Sequence, residues 1–109
     1  MSSASPLAGV RVVDLTTVVA GPIATLILAQ QGADVIKVEP PGGDLVRRLG
    51  FMAKDGSSST FHVLNRGKTL VELDLAREVG REALAALIAE ADVLLHNYRP
   101  GAAERLGLD

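Results

Sequence analysis

Two short apolar runs set the architecture of this chain: Val10-Arg-Val-Val-Asp-Leu15 and Asp34-Val-Ile-Lys-Val-Glu39. Apart from Asp14 near its end, the first run carries only one charge, Arg11, as expected of a strand that is covered on both faces. Between the two runs, Pro22 stands at the opening of a helix predicted over residues 23–31, and Gly32 ends that helix. Because the crossover between such strands is right-handed, the two strands are predicted to be parallel.

The rest of the chain continues the alternation of strand and helix. Residues 44–59 predict a partly helical excursion, and residues 69–74 and 93–96 predict two further strands on either side of a helix over 77–91. That helix carries one apolar stripe that is expected to pack in the core: Val79, Ala83, Leu84, Leu87 and Ile88. The fold class is therefore α/β, with residues 1–109 opening one doubly wound parallel sheet.

Composition excludes several classes of protein. A net charge of -2 over 109 residues argues against a general nucleic-acid binder. Without cysteine there is no thiolate zinc site, and His62 and His96 lie too far apart for a metal pair, so no metal is expected. The apolar stretches are too short to span a bilayer, and residues 1–6 do not resemble a secretory signal, so no membrane association and a cytoplasmic location are expected.

The carboxyl ends of the predicted strands are the places to look for chemistry, because ligands of open α/β sheets bind there. The first end, residues 16–22, leads into a helix N-terminus that could hold a phosphate, although an ordinary tight turn also explains Gly21. At the second end, Glu39 could accept a ribose hydroxyl, but a solvated charge is the simpler interpretation. Arg47 and Arg48, beyond the glycine turn, could approach a ligand, although most such pairs are simply solvated.

The third strand end carries the strongest pattern. Asn97 and Tyr98 follow the last strand, and a Pro-Gly turn leads to a short helix that returns Arg105 toward Arg99. Two arginines of this kind can bind a phosphate, although arginines on a short helix are usually surface residues. His96 is more simply a packed or hydrogen-bonded strand residue than a base.

Five blocks of the sequence carry a resemblance to a known family. They are Pro6-Leu-Ala-Gly-Val-Arg-Val-Val-Asp-Leu15, Ala20-Gly-Pro22, Gly32-Ala-Asp-Val-Ile-Lys-Val-Glu-Pro-Pro-Gly-Gly-Asp44, Asn65-Arg-Gly-Lys68, and the stretch from Ala91-Asp-Val93 to Arg105-Leu-Gly107. In this order they closely resemble the N-terminal part of family III CoA-transferases. That family also includes 2-methylacyl-CoA racemases.

The resemblance implies a Rossmann-like domain that holds the adenine and phosphate end of coenzyme A. It implies acyl-CoA and a carboxylic acid as substrates, and a homodimer of two interlocked chains. Carried over by position, the CoA contacts fall on Val19, Ala20, Leu73, Asp74, Leu75, Ala76, Asn97, Tyr98, Arg99 and Arg105. Some members have glutamine where this chain has Val19, and arginine where it has Pro40.

The resemblance places no catalytic residue in this chain. Family transferases attack the thioester with an aspartate and form a mixed anhydride, and that aspartate lies downstream of the residues present here. None of the aspartates of the chain corresponds to it: Asp14, Asp34, Asp44, Asp55, Asp74, Asp92 and Asp109. The chain is thus expected to be inactive alone.

Two other classes of function stay open at the level of sequence. A racemase or epimerase would share this segment and would use a downstream histidine and aspartate. A non-catalytic interaction module, or a truncated product folding around its own small sheet, is the other alternative. If strands that complete the sheet are missing, its unpaired edge and apolar face favour a homo-oligomer.

Overall fold

The computed structural model describes residues 5–108 as a single sheet with helices on both faces. Four parallel strands form the sheet: β1 (Arg11–Asp14), β2 (Asp34–Glu39), β3 (Thr69–Glu72) and β4 (Val93–Leu95). The helices are α1 (Ala20–Gln30), α2 (Ser59–Leu64), α3 (Glu78–Ala89) and α4 (Ala102–Arg105), with a 3₁₀ helix at Leu45–Arg48. The predicted α/β fold class is confirmed.

The strand order is β3-β2-β1-β4. β2 and β3 lie in turn on one side of β1, and the chain then crosses to the other side to form β4. Val13 of β1 lies opposite Ile36 of β2 and opposite Leu94 of β4. A reversal of this kind is the signature of a doubly wound sheet, and it leaves a crevice at the carboxyl ends of the strands on either side of the reversal.

The two central strands, β1 and β2, bury side chains on both faces of the sheet, and alternate residues point to opposite faces, as the two-residue period of a strand requires. Val12 and Val35 pack with Leu28 on the side of α1. Val13, Leu15 and Val38 pack with Leu84 on the side of α3. A third, smaller cluster lies within the excursion between β2 and β3, where Val46, Phe61 and Leu64 meet.

Helix boundaries differ from the sequence prediction by a few residues. α1 begins at Ala20 rather than at residue 23, so Gly21 and Pro22 belong to its first turn, where the missing N–H of proline costs no helical hydrogen bond. The partly helical excursion is confirmed, with Ser58 accepting a hydrogen bond from the N–H of Phe61 at the start of α2.

The predicted apolar stripe of α3 is wrong at Val79, which is 73% exposed. Gly80 is the buried residue of that turn. A Cβ at this position would lie only 1.9 Å from the backbone oxygen of Asp74, so only glycine lets the β3–α3 connection approach the helix this closely. This close contact fixes which face of α3 packs against the sheet, and the side chain of Leu84 is buried on that face.

Among residues 5–108, no helix is both long enough and apolar enough to cross a membrane.

Candidate functional site

A cavity of about 370 Å³ lies at the carboxyl edge of the sheet and is lined by residues that follow all four strands. Its lining consists of Leu15, Thr17, Val38, Glu39, Pro40, Pro41, Leu73, Asp74, Leu75, Ala76, Tyr98, Ala102 and Leu106. Most of these side chains are apolar, and a few polar groups stand among them. Such a composition is typical of a small-molecule site, and the location is the crevice that the strand order predicts.

Tyr98 forms one wall of the cavity. Its ring stacks on the imidazole of His96, with 5.4 Å between ring centroids and 27° between the planes. Burial raises the pKa of the Tyr98 phenol, so this group stays neutral. The Nδ1 of His96 accepts a hydrogen bond from the N–H of Tyr98, so His96 is a hydrogen-bonded residue, as predicted.

The loop between β1 and α1 approaches the cavity through Thr17. The side chain of Asn97 fixes this loop: Oδ1 accepts from the N–H of Thr17 at 3.2 Å, and Nδ2 donates to its carbonyl oxygen at 3.0 Å. Gly21 lies against Thr16, because a Cβ there would be 2.4 Å from the Cβ of Thr16. Within residues 5–108, the N–H groups of residues 19–21 have no hydrogen-bond acceptor.

Buried charges lie beneath the loop on the α1 side of the sheet. The Asp14 carboxylate accepts hydrogen bonds from the hydroxyls of Thr16 and Thr25, and its Oδ2 lies 3.2 Å from Nζ of Lys68. Both members of this ion pair have fully buried side chains. Nζ of Lys68 also donates to the carbonyl oxygen of Pro22 and to Asn65.

A second buried pair joins β2 to the excursion that follows it. Nζ of Lys37 lies 3.1 Å from Oδ2 of Asp44 and also donates to the carbonyl oxygen of Thr16. Burial lowers the pKa of Lys68 although the neighbouring Asp14 favours its charged form. Removing one partner of a buried ion pair leaves an uncompensated charge. Each of these four charged groups therefore needs its partner for the fold to be stable.

Glu39 is only 4% exposed, so the prediction of a solvated charge is wrong. Arg47 donates to both of its carboxylate oxygens at 2.7 Å, and the N–H of Asp44 donates to Oε2 at 2.8 Å. Arg47 also stacks over the ring of Phe61, 3.8 Å from its centroid, so its side chain, although 40% exposed, is paired and packed rather than simply solvated. Arg48 is exposed as predicted.

The structure brings together some of the predicted site residues and leaves others outside the cavity. Leu73, Asp74, Leu75, Ala76 and Tyr98 line it. Val19 and Ala20 stand exposed at the start of α1, and Asn97 fixes the loop instead of lining the cavity.

Arg99 and Arg105 are also exposed and lie outside the lining. A guanidinium nitrogen of Arg105 stays beside Gly101, 3.7 Å from the position of a Cβ on that residue. Neither arginine has a carboxylate partner among residues 5–108, so both guanidinium groups are available to an anion.

Sequence reasoning missed Lys37, Asp44 and Lys68. The signal for Lys37 is a charge in the middle of an otherwise apolar strand, since lysine is almost never fully buried unless it is paired. No group of three or more potential metal ligands from His, Cys, Asp and Glu comes together in the described part of the chain.

Taken together, fold and cavity define a doubly wound α/β domain with a ligand crevice at its topological switch point. A sequence model of CoA-transferase family III matches residues 7–109. The chain therefore belongs to CoA-transferase family III.

Individual relatives agree with this assignment. The chain is 46% identical over 99 residues to a succinyl-CoA:mesaconate CoA-transferase of Haloarcula hispanica, covering 87% of this chain and 25% of that protein. It is 43% identical over 105 residues to a formyl-CoA:oxalate CoA-transferase of Streptomyces coelicolor, covering 96% and 26%. The crystal structure of a CAIB/BAIF family protein from Brucella suis superposes with a TM-score of 0.88 at 43% identity, covering 96% of this chain and 29% of that one. The chain thus spans about a quarter of the length of these curated relatives.

We expect Glu39→Gln to remove a stabilisation that depends on pH. Burial alone would raise the pKa of Glu39, but the Arg47 hydrogen bonds, the Asp44 N–H and nearby positive charge outweigh burial and hold this pKa below 4.5. A carboxylate with a lowered folded-state pKa stabilises fully above its ordinary value, and the stabilisation is lost as pH falls through the folded value. Urea unfolding should show a loss of about 2 kcal/mol in the variant at pH 7, typical of hydrogen bonds to a charged group.

The difference between wild type and Glu39→Gln should shrink toward pH 3. Glu90→Gln is the matched control, because the side chain of Glu90 is 75% exposed and its one ion pair within residues 5–108 spans 4.0 Å. A difference that stays constant from pH 7 to pH 3 would show that the charge of Glu39 contributes nothing to folding.

Proposed function

We propose that this chain supplies the coenzyme A-binding part of an acyl-CoA:carboxylate CoA-transferase. The observation that carries the proposal is the cavity at the carboxyl edge, with unbonded N–H groups of residues 19–21 at the same edge. N–H groups at a helix start favour phosphate, and an apolar cavity favours a nucleobase or a pantetheine arm. The proposal includes a cytoplasmic location, which a chain without cysteine fits.

Every predicted contact except Asn97, which fixes the β1–α1 loop, has a direct role in this proposal. Arg99 and Arg105 supply fixed positive charge that pairs with the phosphates of CoA. Tyr98 supplies an aromatic face at the wall of the cavity, and the β3–α3 connection, residues 73–76, forms the facing wall. The Val19 and Ala20 contacts are made by backbone N–H groups, since neither side chain can donate a hydrogen bond.

In the complete enzyme, an aspartate contributed from outside this chain attacks the thioester carbonyl carbon of the acyl-CoA. The carbon–sulfur bond breaks, CoA leaves as the thiolate, and the acyl group remains on the carboxylate as a mixed anhydride. Transfer is favoured over racemisation because the relatives from Haloarcula hispanica and Streptomyces coelicolor are both named CoA-transferases.

We expect the 109-residue chain to bind CoA in isothermal titration calorimetry and to bind pantetheine much more weakly. Arg99→Ala and Arg105→Ala should each raise the Kd for CoA by about tenfold or more, since a charge-assisted hydrogen bond contributes about 1.5–3 kcal/mol. Neither substitution should change the Kd for pantetheine, which has no nucleotide phosphates.

Arg11→Ala is the matched control for this experiment. Arg11 is the first residue of β1 and pairs with Asp34, so it lies at the opposite edge of the sheet. Its substitution should leave the CoA affinity unchanged. An absence of CoA binding, with both arginine variants behaving as wild type, would remove the proposed function.

A homo-oligomer is part of the same proposal. The helix α1 exposes Ile23 and Ile27 on one face, one turn apart, and Val19 precedes them by a further turn. Each of these side chains is more than 40% exposed. β3 and β4 form the outer edges of the described sheet, and Leu70 and Val93 on them are exposed. Apolar faces and unpaired strand edges of this kind favour association.

Multi-angle light scattering should therefore report a dimer or larger species. Ile27→Lys should lower the mass by placing a charge on the α1 face. Val79→Lys, a change at an isolated exposed residue of α3, should leave the mass as it is. A monodisperse wild-type monomer over a wide range of concentration would contradict this part of the proposal.

A further inference from the structure

The loop that precedes α1 contains a strained residue. Val18 has a φ of +70°, and it is the one non-glycine residue with a positive φ within residues 5–108. A β-branched residue in this region is a genuine outlier, and strain of this kind persists only where the surroundings enforce it. Val18 directly precedes the helix start whose N–H groups have no acceptor in the described chain.

The group that holds the N–H of Val18 is the carboxylate of Asp44. Its oxygens accept from the N–H of Val18, each at 3.3 Å, and Oδ1 also accepts from the N–H of Val46 at 3.1 Å. Oδ2 is held by Nζ of Lys37 at 3.1 Å. The side chains of Asp44 and Lys37 are almost completely buried, so neither can exchange these partners for water.

Lys37 also holds the other end of the same loop, because its Nζ donates to the carbonyl oxygen of Thr16. The loop between Thr16 and Val18 is thus gripped at both ends by one buried ion pair. The pair belongs to β2 and the turn after it, which are distant from the loop in sequence.

We propose that Asp44, fixed by Lys37, is a positioning residue that holds Val18 in its left-handed conformation and thereby orients the free N–H groups of residues 19–21 toward the crevice. The inference rests on the proposed function, because these N–H groups are assigned to the CoA contact. Asp44 touches no ligand in this assignment and acts through the backbone.

An amide cannot replace this carboxylate. Oδ2 of Asp44 accepts from Lys37, Oδ1 accepts from the N–H of Val46, and the N–H of Val18 is shared between the two oxygens. Asparagine has one acceptor oxygen and an NH₂ group, so in either orientation its NH₂ faces a donor. Asp44→Asn must therefore lose the hydrogen bond to Lys37 or the one to the Val46 N–H, and in either orientation it loses one of the two oxygens that hold the N–H of Val18.

The first test measures CoA affinity by calorimetry on the 109-residue chain. Asp44→Asn should raise the Kd for CoA by about tenfold, because a change of this size corresponds to the strain of one residue held in an unfavourable backbone conformation. Adding Val18→Gly to Asp44→Asn should restore much of the lost CoA affinity, because glycine adopts a positive φ without strain. Val46→Ala is the control: it removes buried apolar contacts from the same 3₁₀ helix and should lower stability without changing the Kd.

The second test needs no ligand. In Asp44→Asn, hydrogen exchange of the Val18 amide should accelerate by about tenfold or more relative to amides of β1, and the amide shifts of residues 18–21 should move. Val46→Ala should leave that ratio unchanged.

The outcomes separate the two claims. If wild type fails to bind CoA while the exchange of Val18 responds as described, the proposed function fails and the positioning role stands. Unchanged exchange at Val18 in Asp44→Asn would overturn the positioning role. A rise in the Kd of Asp44→Asn that Val46→Ala reproduces would also overturn the positioning role. So would a rise that adding Val18→Gly does not reverse.

Discussion

The buried carboxylate of Asp14 is the interaction on which the rest of this structure depends. Asp14 is the last residue of β1 and is fully buried. Because an isolated buried charge is costly, its carboxylate needs partners. Its partners come from three places: Thr16 in the loop after β1, Thr25 in α1, and Lys68 before β3. One carboxylate therefore ties the first βα unit to the end of the long excursion, and the Lys37–Asp44 pair ties in the beginning of that excursion.

This charged layer gives the crevice two different supports. On the α3 side, Leu15 and Val38 form an apolar floor that joins the main core. On the α1 side, ion pairs and hydrogen bonds hold the β1–α1 loop and the turn after β2. In the proposed function, a loop that is held in advance loses little entropy when CoA arrives, so the cost of strain at Val18 is met during folding rather than during binding.

Local patterns predicted the architecture well, and tertiary pairing explains what they missed. The bounds of β2 follow from its apolar run, and the first helix follows from Pro22 and Gly32, since these are signals within a few residues. The family can be identified from the five motif blocks of the sequence, which are also local signals. The burial of Glu39 could not be predicted, because its partner Arg47 lies beyond a glycine turn whose path depends on the fold. The conformation of Val18 could not be predicted either, since valine itself disfavours a positive φ and the Asp44 carboxylate that holds its N–H is distant in sequence.

A double-mutant cycle on Asp14 and Lys68 tests most directly whether this buried pair organises the fold. Asp14→Asn, Lys68→Met and the double variant are unfolded with urea at pH 7, in sucrose where a single variant needs support. Each single change should lower the free energy of unfolding by about 3–5 kcal/mol, because it leaves a buried group without its partner. The double variant should lose less than the sum by about 1–3 kcal/mol. Losses below about 1 kcal/mol that simply add would show that the pair behaves as a surface salt bridge and would contradict the account.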